Sequence, residues 1–314
     1  MKKWLKTLAV TCAAIPFAQC AMLPGTNMAI AAEPVAATAP APAATTDADP
    51  ALWVVKDEDT TVYLFGTVHV LRPGLSWFDD AVRKAFDDSD EVVLELVMPE
   101  ASAMQAAVMK HAVNSSGTPL SQQVPADRRE AYTQALAKFG MPATALDTYQ
   151  PWFAATQMSV LTLTTSGYDA NSGAEKVITD AAAKAGKPIS GLETADQQLG
   201  FFSGLSQQSQ IAMLASTIDE LPNATRMVDD MVSKWAAGDP QGLADIMNDS
   251  LRETPELSKV LLADRNARWA EWIQTRMAKP GTVFIAVGAG HLAGNDSVQA
   301  MLAQRKLTAT RVEY

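Results

Sequence analysis

The sequence predicts an α/β fold, with a mixed central sheet flanked by helices and interrupted by a long helical excursion. Three observations carry this. β-Branched and aromatic runs stand at both ends of residues 51–314. EVVLELV (91–97) is a near-continuous apolar run of strand length, as a strand buried on both faces requires. Most of the chain between these segments reads with helical periodicity.

ALWVVKD and TTVYLFG, joined by the acidic turn Asp57-Glu58-Asp59, form an antiparallel hairpin. Ser76 and Asp79 have capping-box spacing and open a helix with Phe78, Val82 and Phe86 along one face. From Ala101 to about Leu163 the pattern is helical, with Pro125 near one helix start and Gly140 just past that helix's end. Residues 174–185 form another helix, GKPISGLE returns as a short strand, and Thr194 with Gln197 caps the helix after it. Residues 207–278 read as helices broken at Pro222, from Gly238 to Pro240 and near Pro255. TVFIAVGAGHLAG (282–294) is a strand running into a glycine-rich turn, followed by a helix and the terminal strand TATRVEY. The strands at the two ends must meet in one sheet.

With 314 residues, 48% apolar and 19% charged, the chain can bury a large core. Lys2, Lys3 and Lys6 give a basic start to the apolar run WLKTLAVTCAAIPFA, which reads as an export signal over residues 1–32. Small residues suit cleavage before Ala21 or near Ala32 and Glu33. Gln19 stands where lipidation wants a small residue, which argues against an acylated Cys20, and the run is short of the ~20 residues a stable transmembrane segment needs. The expected location is periplasmic or secreted. Residues 33–50 are rich in alanine and proline and read as a linker, leaving 51–314 as one domain. Both cysteines, Cys12 and Cys20, lie in the leader, so the mature chain has no disulfide and no cysteine nucleophile or ligand. Net charge is −10, and losing the leader removes three lysines and no acid, which argues against nucleic acid or anionic lipid as partners.

Two of the three histidines follow predicted strands in the same turn, Gly66-Thr67-Val68-His69 and Gly288-Ala289-Gly290-His291. If those strands are neighbours, the imidazoles converge where α/β sheets bind ligands. Gly66, Gly288 and Gly290 permit the close approach such turns need. Two imidazoles suggest a divalent metal ion, and Glu95 is the leading third ligand, because a carboxylate flanked by Leu94 and Leu96 needs a partner. Glu91, on the same face of that strand, reads as an exposed strand end. Glu193 ends the SGLE strand, Glu175 stands at a helix start, and Arg265 reads by default as part of a solvated helix face, with pairing to a buried carboxylate or holding a substrate group as the alternatives. His111 ends a helix and reads as a solvated structural residue. There is no G-x-S-x-G elbow, no Walker A loop, no H-E-x-x-H helix and no complete G-x-G-x-x-G.

FGTVHVL, VVLEL, GLET followed by glutamines, Arg265-Asn266 and VFIAVGAGHLAG occur in this order across nearly all of residues 51–314. Together they resemble the TraB/GumN family, related to the Tiki metalloproteases. The resemblance implies an α/β domain like the erythromycin-esterase-like and ChaN-like proteins, with a divalent ion, manganese or cobalt, at His69, His291 and Glu95. Glu193 and Arg265 would be companions in the site, and Glu175, in GAEKV, matches a position that is usually acidic. The expected function is that of an exported metal-dependent hydrolase, foremost a peptidase. The alternative is a periplasmic protein that sequesters a peptide, haem or other small ligand without turnover.

Overall fold

The computed structural model describes residues 45–247 and 255–314 in full, and the backbone of 248–251. The expected export signal and residues 33–44 of the expected linker lie outside the described residues. In chain order the strands are β1 (Thr46–Asp47), β2 (Leu52–Lys56), β3 (Thr60–Thr67), β4 (Leu75–Ser76), β5 (Glu91–Leu96), β6 (Ile189–Glu193), β7 (Gly281–Gly288) and β8 (Thr310–Arg311). The main sheet has the order β6-β5-β7-β3-β2-β8, and β1 pairs with β4 in a small parallel sheet of its own.

The mixed character of the sheet follows from its connections. The tight acidic turn makes β2 and β3 antiparallel, whereas β3, β7, β5 and β6 are mutually parallel because helices link them. The two ends of the chain do meet: β3 and β7 pair along their whole lengths, from Thr60 opposite Gly281 to Thr67 opposite Gly288. β7 is therefore inserted between β3 and β5, and four parallel strands present their carboxyl ends along one edge.

Side-chain alternation divides the sheet between two apolar layers. Val62, Leu64, Val93, Val283, Ile285 and Val287 pack on one face with Trp269 and Ile273 of the helix Asp264–Arg276 and Leu302 of the helix Val298–Gln304. Phe65, Val92, Leu94, Phe284 and Ala286 face the other way, against Val82, Phe86, Ile178 and Trp235. A third cluster is almost wholly helical and contains Met104, Tyr132, Trp152, Phe202 and Met213. This is the helical excursion, and it joins the sheet through Leu96, at the carboxyl end of β5.

Several local expectations hold in detail. The helix Ala174–Ala185 has the expected bounds, Thr194 and Gln197 form a reciprocal capping box, and Gly140 adopts a φ of +70° just past the helix Arg129–Lys138. Two expectations are corrected. Ser76 belongs to β4 rather than opening a helix. Its hydroxyl binds the Asp79 side chain instead of a backbone N–H, and the helix runs Asp80–Asp88. The last residues of the expected linker belong to the fold, since Thr46 and Asp47 pair with Leu75 and Ser76 and Ala48 is buried. Parallel pairing supplies backbone partners that the alanine- and proline-rich composition did not reveal. Among the described residues no helix is long and apolar enough to cross a membrane.

Candidate active site

The carboxyl ends of the four parallel strands each deliver one of the expected side chains. His69 follows β3, Glu95 is on β5, Glu193 ends β6 and His291 follows β7. Glu175 comes from the helix Ala174–Ala185 and Arg265 from the helix Asp264–Arg276, so all six candidates gather at one edge of the sheet. His69, Glu95, Glu193, Arg265 and His291 are each less than a tenth exposed.

Arg265 is the hub of this cluster. Its Nε donates to both oxygens of Glu193 at 3.0 and 3.1 Å, and its Nη2 donates to Glu193 Oε2 at 2.6 Å and also to Glu95 Oε1. Its Nη1 donates to the Leu261 carbonyl and to His291 Nε2, each at 3.2 Å. A guanidinium has five N–H groups, and here each has a protein acceptor. The side chain is buried rather than on the solvated helix face expected of it, and no donor is left for a substrate, so pairing with buried carboxylates is the reading of Arg265 that stands. Leu261 lies in a π-helical turn, Lys259–Ala263, that leads into the helix bearing the arginine. Trp269, one turn further on, lies beneath the guanidinium, with its ring centre 4.9 Å away, and donates to Glu193 Oε1 at 3.1 Å.

This donor pattern fixes the state of His291. Because Arg265 can only donate, Nε2 is an acceptor and the ring proton is on Nδ1, which donates to Asn266 Oδ1 at 2.6 Å. Asn266 is oriented in turn by Nδ2, which donates to the Asp296 carbonyl at 2.6 Å. Burial pushes the His291 pKa down to about 3, and the Arg265 charge acts in the same direction. His291 is therefore neutral, with both nitrogens engaged.

Glu95 stays ionised. Burial, the largest single influence, raises its pKa, but the Arg265 charge and hydrogen bond together with the two nearby histidines outweigh it and hold it at about 2. Gln198 donates from one amide nitrogen to Glu95 Oε1 at 2.9 Å and Glu193 Oε2 at 3.1 Å, and Gly288 N–H donates to Glu95 Oε2 at 3.1 Å. The motif glycine of the second turn thus binds the strand glutamate through its backbone. Gly66 has a different role. A Cβ there would come within 3.0 Å of Ala289 Cα, so its bare backbone lets the two strand exits pack together, and its carbonyl accepts from Trp235 Nε1 at 2.7 Å. Gly290 leaves room for Met247, whose Cε would lie 2.2 Å from a Cβ there.

His69 is held differently. Its Nδ1 is 2.5 Å from Glu175 Oε1, an oxygen that also accepts from the Thr67 hydroxyl. Backbone contacts clamp the pair, since Ala174 N–H donates to the Val68 carbonyl at 2.9 Å and Leu71 bridges Asp169. His69, Glu95 and Glu175 line a pocket of about 160 Å³, walled mainly by Leu94, Leu96, Val97, Met98 and Ile189.

Glu91 and His111 lie outside this cluster. Glu91 is half-buried and accepts from Arg276 Nε at 3.0 Å, where an exposed strand end was expected. The helix Asp264–Arg276 runs along β5, so its last arginine meets the strand's first glutamate while Arg265 meets Glu95. His111, expected as a solvated structural residue, is instead partly buried and bonded at 2.9 Å to both Ser203 and Asp196.

The family model for the TraB/PrgY/gumN family matches residues 51–311. The chain belongs to this family. A protein of Escherichia coli (strain K12) named YbaP, described as uncharacterized, is 21% identical over 262 residues, covering 81% of this chain and 92% of its own length. An uncharacterized protein of Treponema pallidum (strain Nichols) is 22% identical over 284 residues, covering 81% of this chain and 80% of its own. No solved structure matches.

A divalent ion fits the chemistry of His69, His291 and Glu95 but not their arrangement. An ion on His291 Nε2 would sit about 2.0–2.1 Å from that nitrogen. Arg265 Nη1 already stands 3.2 Å away along the same lone pair. Among the described residues no group of three or more His, Cys, Asp and Glu side chains is placed to hold a metal ion.

Proposed function

We propose that this member of the TraB/PrgY/gumN family is an exported hydrolase acting on an acyl bond, a peptide bond foremost, with His69 as general base. The supporting observation is the His69–Glu175 pair at the wall of a pocket that also reaches Glu95. With Nδ1 directed to Glu175, Nε2 is the basic nitrogen of the ring, and a carboxylate so placed steadies the imidazolium that forms when water gives up its proton. Glu95, ionised and held by Arg265, Gln198 and Gly288, adds a second fixed negative charge beside that imidazolium. No cysteine lies in the described residues, neither histidine turn carries a serine, and the Thr67 hydroxyl is committed to Glu175, so water is the attacking group in this reading.

The pocket is small beside the several hundred Å³ typical of drug-sized ligands and mainly apolar, which suits a compact apolar group next to the bond that breaks. The export element rests on the basic, apolar leader sequence. The test is to incubate the purified mature chain with a peptide library, with and without chelator, and to search for new termini by mass spectrometry. The expected result is cleavage that falls about 10²–10⁴-fold in His69→Ala with the circular dichroism spectrum unchanged. Tight binding of peptides that stay intact would replace this reading with sequestration.

A further inference from the structure

We infer that Arg265 is the resident cation of this centre: its guanidinium stands where His291 Nε2 and Glu95 Oε1 converge and keeps divalent ions out. This goes beyond the hydrolase reading, which does not depend on it.

Three observations converge. The first is position. Arg265 donates to Glu95 Oε1, Glu193 Oε2 and His291 Nε2, which are the lone pairs an ion drawn to this histidine and these glutamates would use. The second is charge. Glu95 and Glu193 are matched by Arg265 and by Arg268, whose Nη2 is 3.8 Å from Glu193 Oε1. A divalent ion would add two positive charges to a set that is already balanced, in surroundings where unmatched charge is heavily penalised. The third is tautomer. A metal-binding imidazole commonly directs its second nitrogen to an oxygen acceptor. His291 has that arrangement, with Nδ1–H on Asn266, but its free lone pair is directed at an arginine. The outer support of a metal-binding histidine is thus present around a ring whose inner partner is a guanidinium.

Only three histidines are present, so the claim can be read directly from imidazole ¹⁵N spectra of the full mature chain, with His69→Ala and His111→Ala used to assign His291 by elimination. In the wild type His291 should show the Nδ1–H tautomer, and its Nε2 resonance should not move on addition of saturating zinc. A companion measurement is equilibrium dialysis against cobalt(II). Arg265→Ala should gain one ion per chain relative to the wild type, and Arg265→Ala/His291→Ala should lose it again. A wild-type Nε2 resonance that shifts with one equivalent of zinc overturns the inference. So does a folded Arg265→Ala chain that takes up no additional ion. If Arg265→Ala does not fold, the wild-type spectrum decides alone. Failure of the hydrolase reading would appear instead as undiminished cleavage in His69→Ala, whatever the zinc titration shows.

Discussion

His69 and His291 leave adjacent parallel strands through the same Gly-x-x-His turn, at exits that face each other in register. They nevertheless end in opposite situations. His291 is engaged on both nitrogens, by a guanidinium and by an amide that is itself held. His69 has a carboxylate at Nδ1, and its ring lines a pocket. A motif therefore sets where an imidazole stands, while the helices packed against the turn decide what it can do. The helix Asp264–Arg276 brings a saturated cation to His291, and the helix Ala174–Ala185 brings an acid to His69.

The contrast is most severely tested at the hub. Arg265→Met leaves Glu95 buried without a counter-charge and Glu193 with only the more distant Arg268, and a loss of about 3–5 kcal/mol in unfolding free energy is expected from urea titration. A loss below about 1 kcal/mol would show that the network is not what orders the His291 side.

Next come the two glycines that back the two turns. A Cβ at Gly173 would lie 2.1 Å from the His69 carbonyl oxygen, and backbone cannot yield cheaply, so Gly173→Ala should lower stability by about 1–3 kcal/mol and shift the His69 ¹⁵N resonances. A Cβ at Gly290 meets the flexible end of Met247, so Gly290→Ala should be the milder change. Equal losses in the two variants would erase the distinction between a rigidly backed His69 and an adaptable packing beside His291.

Acid sharpens the comparison with a smaller effect. The folded His291 pKa of about 3 lies below the ordinary 6.5, so the unfolded chain binds the proton first, and stability falls as pH drops from 6.5 toward 3. At its steepest this amounts to about 1.4 kcal/mol per pH unit. Glu95, lowered from 4.5 to about 2, adds a loss in the same direction at lower pH. Thermal melts in a pH series should show this slope in the wild type and a flatter one in His291→Gln between pH 6.5 and 4.5. The smallest effect belongs to His111→Ala. Its ring bonds Ser203 and Asp196 away from the pocket, and the change should alter stability by about 0.5 kcal/mol or less with cleavage unaltered.

Much of this was legible beforehand because its signals are local. Strand-length apolar runs, the capping box at Thr194 and the two glycine-histidine turns each declare themselves within a few residues. Glu95 was legible through a conflict, a carboxylate inside a strand buried on both faces. What stayed hidden depends on how helices are rotated against the sheet. Gln198 reads as one glutamine among several, yet it ties Glu95 to Glu193. Nothing local marks Trp269 as a donor to Glu193 or Gly173 as the residue packed on the His69 carbonyl. Arg265 was visible, but nothing in ADRNARW says that all its donors are consumed. Ser76 misled because capping-box spacing needs only the right residues, whereas capping needs the right backbone.

The insertion of β7 between β3 and β5 also bears on how the molecule comes into being. Until residues 281–288 arrive, the sheet is two separate pieces, and Glu95 lacks both the Gly288 N–H and the company of His291. The centre is therefore assembled only from a nearly finished chain, after its amino-terminal half has been synthesised. Pairing partners so distant in sequence form slowly.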